Sequence, residues 1–427
     1  MGWIDHALKY LALDDLDALA KARDEANDDD VRGFLTELVT AEGFVKAPQP
    51  GIELAEKFEA NGKNIDAAVI KLLTFNKIAT LAQSIEKSPP DLKNQMIEKT
   101  FTTCEMCVEL AEEFGYCEVM AKFQLILGTG FAKVTQWGEA KEIYEEALDK
   151  YRKLTQNEPN IYKPYVATTL NNLGGVLSSQ RMFPKARVVF EEALIIRREL
   201  AKEEPHIYHP DVAGTLNNLA SVLNELLMFP ESRAAYEEAL DITRGLAMLE
   251  PDLYKPDVAT ILNNMGNVLR NQRAFSESRA SYEEALLIRR ELAKENPHIY
   301  KPNMATTLNN YGSVLRNQSA FTKSKAAFEE SLEILRELAR EEPHIYNPDV
   351  ARTLNNLGAV LNNVGAFTES RAAFEEALKK YRDLAKEGPH IYKPYVATTL
   401  NNLGAAMSYQ RAHQESRVAY EEALAGC

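Results

Sequence analysis

The residues of this 427-residue chain that could do chemistry are repeated rather than singular. Six Asn-Asn pairs, each preceded by Leu, stand at 171/172, 217/218, 263/264, 309/310, 355/356 and 401/402. An Asn amide carries two N–H donors and an acceptor oxygen, so one side chain can pair with both a peptide N–H and a peptide C=O. Cys104-Glu105-Met106-Cys107, with Cys117 nearby, resembles half of a metal site. Zinc takes four ligands, and no second Cys or His pair stands at matching spacing, so these cysteines read as small core residues of a helix. His206, His298, His344 and His390 all occur in Pro-His-Ile-Tyr. Neighbouring helical units lie about 10 Å apart, too far to share one ion at about 2 Å per bond. The histidines therefore read as link residues, and Asp252 replaces the His in one copy. There is no Gly-rich phosphate loop and no Ser/His/Asp arrangement. Active sites are singular, whereas these residues recur six times. The expectation is a protein that is not an enzyme, with no cofactor and no metal.

The elements that position these residues follow from the period. The Leu of Leu-Asn-Asn recurs at Leu170, Leu216, Leu262, Leu308, Leu354 and Leu400, every 46 residues and without gaps. Pro164, Pro210, Pro256, Pro302, Pro348 and Pro394 keep the same step, as do Glu pairs from 191/192 to 421/422. Each unit reads as two helices. In the first, Leu170, Leu173, Gly174 and Leu177 form an i, i+3, i+4, i+7 stripe, and Pro164 suits a first turn. The second begins near Pro184 or Ser276, carries Ala186, Phe190 and Ala193, and ends before Pro205. Pro205 to Pro210 then reads as the link to the next unit. Gly174 and Ala186 let the two helices approach closely, and the aromatic at Phe190, Tyr236, Tyr282, Phe328, Phe374 and Tyr420 is expected to fill the space between units. One helix pair cannot bury its apolar face alone, so the copies must stack.

The organisation is read as three parts. Residues 164–427 hold six tandem repeats, the last incomplete. Residues 118–163 are a degenerate first copy, with Gly128, Tyr144 and Glu145-Glu146 in register and Leu125-Ile126 in place of the Asn pair. Residues 1–117 show no such register and read as helices, near 7–26, 65–85 and 91–114, that cap the stack as diverged pairs; a separate domain ending near Pro50 is the alternative. The last copy stops part-way through its second helix with no polar capping helix behind it. Its open end would suit self-association, or the chain would be part of a longer repeat protein.

Composition narrows the partners. With 49 basic and 63 acidic residues the formal charge is −14, which argues against nucleic acid or an anionic membrane surface. No apolar run approaches a membrane span, and the start of the chain lacks a secretory signal. Four cysteines are no disulfide framework, which fits a reducing, cytoplasmic setting.

Leu170, Leu173-Gly174, Leu177, Ala186, Phe190 and Ala193 together resemble the tetratricopeptide repeat. The family's proline after the second helix is absent where Arg198 stands, and the unit is about 12 residues longer than the usual 34. The long unit and its Leu-Asn-Asn-Leu string are most similar to the kinesin-light-chain-like branch. The resemblance implies an all-α, right-handed superhelical solenoid of antiparallel helix pairs, and a binding scaffold. It also implies that one face of the first helix lines a concave groove. The second Asn of each pair, at Asn172, Asn218, Asn264, Asn310, Asn356 and Asn402, matches a position that in the family often meets the main chain of a bound peptide. The first Asn either joins it or bonds the neighbouring helix. Positions that vary between copies would set specificity, among them Asn267, Arg270, Asn271, Arg316, Asn317 and Arg352. These arginines make the groove mildly basic, suited to an acidic peptide or a free carboxylate; alternatively they pair with carboxylates on adjacent helices. The leading expectation is a scaffold that holds an extended, acidic peptide or protein segment on an Asn ladder. A self-assembly module and a regulatory or sensor domain are the other classes.

Overall fold

Each repeat is a pair of long helices joined by a tight turn. The computed structural model describes residues 117–133 and 135–425. The expectations for residues 1–116, including the capping helices and the Cys104–Cys107 motif, lie outside the described residues. The helices fall into two units that divide after Leu226. The first contains α1 (Cys117–Lys133), α2 (Trp137–Asn157), α3 (Pro159–Ser179), α4 (Phe183–Glu203) and α5 (Pro205–Glu225). The second contains α6 (Phe229–Leu249), α7 (Pro251–Asn271), α8 (Phe275–Glu295), α9 (Pro297–Asn317), α10 (Phe321–Glu341), α11 (Pro343–Asn363), α12 (Phe367–Glu387), α13 (Pro389–Tyr409) and α14 (His413–Ala425). Within each unit every helix packs on the next, and the first helices of successive repeats also touch. This is the all-α repeat solenoid that the periodicity predicts, with no strand among the described residues.

The helix starts differ from the sequence reading. Pro-His-Ile-Tyr is not a link. Pro159, Pro205, Pro251, Pro297, Pro343 and Pro389 stand at the helix start, and Pro164 and its counterparts lie inside the helix. An interior proline deletes one backbone bond and crowds the carbonyl four residues back. Here that carbonyl belongs to Asn160, which is exposed and can be hydrated. The extra turn in α3 carries Tyr162 into the core. The four repeated histidines are therefore exposed first-turn residues of a helix.

The turn between the two helices of a repeat uses one left-handed residue, such as Arg273 (φ 61°), Ser319 (φ 59°) or Arg411 (φ 61°), and only Gly365 (φ 77°) meets the steric demand without cost. The Ala320 and Ser319 N–H groups donate to the carbonyls of Leu315 and Arg316, closing the end of α9.

The aromatic shares a core cluster with the next repeat, as expected of a residue that fills the space between units: Phe328 with Leu354 and Leu357, Phe374 with Leu400 and Leu403. The same ring also lies on the glycine of its own repeat. A Cβ on Gly174 would stand 2.7 Å from the Phe190 ring, one on Gly266 2.7 Å from Tyr282, and one on Gly358 2.8 Å from Phe374. The position of Ala186 is serine in later copies, and its hydroxyl donates to the same glycine's carbonyl: Ser278 to Gly266 (2.7 Å), Ser324 to Gly312 (2.7 Å), Ser370 to Gly358 (2.8 Å). Small residues on both sides allow this approach.

Candidate functional site: the asparagine face of the first helices

The Asn pairs lie side by side on successive first helices, and they bond to each other. In the second unit, Asn310 Nδ2 donates to Asn263 Oδ1 (3.2 Å), Asn356 to Asn309 (3.1 Å) and Asn402 to Asn355 (3.0 Å). In the first unit Asn218 donates to Asn171 (3.4 Å). In two pairs the first Asn is the more enclosed, with Asn309 2% and Asn263 7% exposed, as expected of a buried amide satisfied within the protein; in the last pair the order is reversed, Asn401 being exposed. The second Asn is half-buried throughout. One of its N–H groups is held by the preceding repeat, which fixes the amide plane. The Oδ1 atoms of Asn310, Asn356 and Asn402 accept no bond among the described residues. Two copies differ. Asn264 Oδ1 accepts from Asn263 (3.2 Å), and Asn172 bonds the Tyr144 hydroxyl.

The variable positions sort by partner. Arg352 is paired with Asp349 on its own helix at 2.6 Å. It adds no unbalanced charge to this face, which removes one of the three arginines from the expected basic groove. Arg270 and Arg316 stand one period apart in the last turns of α7 and α9, where a helix end favours a cation. Neither forms an ion pair among the described residues. Burial, and then the charge of Arg270, push the Arg316 guanidinium below its ordinary range, and no carboxylate draws it back. Asn267 Oδ1 accepts from the Tyr282 hydroxyl at 2.8 Å, which turns the Asn267 NH₂ away from the tyrosine. Tyr282 is fully buried, and its hydroxyl orients a surface amide; the recurring aromatic signalled packing only. Asn271 and Asn317 are exposed at the ends of α7 and α9.

The second helices carry the opposite pattern. The first Glu of each pair accepts from a base four residues back, as in Arg279–Glu283 (2.8 Å) and Arg371–Glu375 (2.8 Å). The second Glu accepts from the preceding repeat: Arg244–Glu284 (2.5 Å), Arg290–Glu330 (2.8 Å), Arg336–Glu376 (2.6 Å) and Arg382–Glu422. The i, i+4 pairing expected from sequence is present, and a second rail joins the repeats. Among the described residues no cluster of His, Cys, Asp and Glu is arranged to hold a metal ion, and no helix is long and apolar enough to cross a membrane.

The tetratricopeptide repeat family model matches residues 165–245, 257–337, 303–383 and 349–427, together more than half of the chain. The chain belongs to the tetratricopeptide repeat family. Solved structures with some likeness to the chain include the following three. The apo form of RapI is similar with a TM-score of 0.50 and 15% identity, over 72% of this chain and 97% of that one. BtubC (BKLC) from P. vanneervenii shares 23% identity over 58% of this chain and 91% of its own, with a TM-score of 0.46. The P. anserina putative kinesin light chain, described as having nearly identical TPR-like repeats, shares 13% identity over 51% and 95%, with a TM-score of 0.41. No curated protein sequence matches the chain. Tetratricopeptide repeat proteins generally mediate protein–protein interactions and peptide binding and are generally non-catalytic scaffolds.

Proposed function

We propose that this chain is a non-catalytic scaffold that binds an extended peptide segment of a partner protein along the asparagine face of its first helices. The observation that carries the proposal is the fixed orientation of Asn310, Asn356 and Asn402. Each is half-buried, is tied by one N–H to a neighbouring repeat, and keeps an amide oxygen that accepts no bond among the described residues. An amide held in place loses little rotamer freedom on binding, and its oxygen and second N–H can meet a peptide main chain whatever the side chains. Asn172, Asn218 and Asn264 extend the face with amides already engaged by Tyr144, Asn217 and Asn263. Arg270 and Arg316, with Asn267, Asn271 and Asn317 around them, favour acidic residues; Arg352, paired to Asp349, contributes less. The 46-residue unit with its Leu-Asn-Asn string supports placing the chain in the kinesin-light-chain-like branch, and its few cysteines suit a cytoplasmic setting.

The test is binding of degenerate nonapeptide pools to the full chain and to the double variant Asn310→Ala/Asn356→Ala. We expect a loss of about tenfold or more, as two main-chain hydrogen bonds disappear, with helix content unchanged by circular dichroism. Unchanged affinity in the double variant would sink the ladder reading.

A further inference from the structure

Among the surface groups of the second unit, Arg270 and Arg316 are left in an unbalanced state. On the helices around them, Arg233, Arg244, Arg279, Arg290, Arg336, Arg352, Arg371 and Arg382 all lie within ion-pair distance of a carboxylate, whereas the buried Arg289 bonds only neutral oxygens. Arg270 and Arg316 hold equivalent places, 46 residues apart, in the last turns of the touching helices α7 and α9, and the charge of Arg270 is felt at Arg316. The bond from Asn310 to Asn263, between the same two helices, holds them in register. Beside them the Asn267 amide has its oxygen occupied by Tyr282, so it presents N–H groups. The Ser313 hydroxyl, at the equivalent position of α9, is turned back onto the Asn309 carbonyl. The result is a local surface of donors and positive charge, in a chain whose net charge is −14.

We propose that Arg270, Arg316 and Asn267 form a subsite for a phosphorylated side chain of the bound peptide, a phosphate monoester on Ser or Thr. This rests on the peptide reading above and assigns one register of it. The physical reason is charge count. One carboxylate neutralises one guanidinium and leaves the repulsion between the two partly in place. A phosphate monoester carries about −1.5 to −2 at pH 7 and three acceptor oxygens. It can take a forked pair of bonds from each arginine, or share its third oxygen with the Asn267 amide. The pair also sits half-buried, where a charge-assisted bond is screened less than on open surface.

The experiment uses the full chain. First, thermal unfolding is followed in inorganic phosphate and in acetate at matched ionic strength, for wild type, Arg270→Gln, Arg316→Gln and Arg352→Gln. Phosphate should raise the wild-type and Arg352→Gln midpoints above those in acetate, and should not do so for the other two. Second, fluorescence polarisation compares degenerate nonapeptide pools centred on phosphoserine, aspartate or serine. The phosphoserine pool should bind about tenfold tighter than the aspartate pool at pH 7.5, as two charge-assisted contacts replace one. That preference should fade below about pH 6 as the second ionisation is lost. Should Arg316→Gln reduce helix content, Arg316→Lys serves instead, since it keeps the charge and removes the fork. Equal binding of the phosphoserine and aspartate pools, or a phosphate effect that persists in Arg270→Gln and Arg316→Gln, overturns this subsite and leaves the peptide reading standing. Binding of no pool at all overturns both.

Discussion

The two helix faces of the second unit treat charge in opposite ways. On the second-helix face each Glu pair is engaged twice, once within its helix and once across the repeat, from Arg244–Glu284 to Arg336–Glu376. On the first-helix face the repeating contact is neutral, amide to amide, and two arginines stand without carboxylates. The excess negative charge of the chain thus says little about where it binds. Charge that is matched by periodic partners serves the stack, and groups left unmatched mark where an outside partner can supply the missing half. Burial sharpens the contrast. Asn309 and Asn263 are enclosed and their neighbours Asn310 and Asn264 half-exposed, so in these two pairs the first residue serves the fold and the second is the one proposed to meet a ligand.

The comparison can be broken most severely at the junction that both faces share. Gly358→Ala places a methyl 2.8 Å from the fully buried ring of Phe374. We expect a loss of about 1–3 kcal/mol, read as a lower denaturant midpoint with both faces affected alike. Next, Asn309→Ala removes the buried acceptor of the Asn356 amide. It should cost about 1–2 kcal/mol of stability, whereas Asn310→Ala should cost less stability and more peptide affinity. If the two variants lose stability and affinity in the same proportion, the division of labour within the pair is wrong. Arg289 offers an intermediate case. It lies on a second helix but is buried, and its guanidinium bonds the Asn303 carbonyl (2.7 Å) and the Thr307 hydroxyl. Burial pushes it down to about 10. Lacking a carboxylate, it gives up hydration without a full counter-charge. Arg289→Met should be neutral or stabilising by about 1 kcal/mol, and a loss above about 2 kcal/mol in chemical denaturation would show that its neutral bonds hold the repeats together. The smallest effect is expected on the exposed rail. Glu330→Gln, opposite Arg290, should cost about 0.2–1 kcal/mol at low salt, and the difference from wild type should vanish in 1 M NaCl.

Much of the fold was legible because it is written six times. The 46-residue step, the apolar stripe at Leu170, Leu173 and Leu177, and the small residues facing an aromatic are local patterns, and a stripe on a helix must be covered by something. The helix start was misjudged at Pro164 because proline is a strong local signal for a first turn. The competing consideration was non-local: Tyr162 finds a buried place, and the carbonyl stripped of its bond can be hydrated. The asparagines were singled out by recurrence, but the direction of each amide was not legible. It depends on a partner 47 residues away across a helix–helix contact. The same holds for the arginines. Arg270, Arg316 and Arg352 look alike as residues, and only geometry separates the one beside Asp349 from the two beside each other.

The sequence by itself determined the unit, its helical content and the rule that copies must stack, because propensity and apolar periodicity act over a few turns of chain. The tertiary structure decided which polar groups are satisfied. Hydrogen bonds and ion pairs require donor and acceptor within about 3 Å, and in this protein many of those meetings occur between helices, within a repeat or across two. That is why the asparagine face, with its amides bonded from repeat to repeat and its two arginines without carboxylates, could be suspected from the residues but described only from the fold.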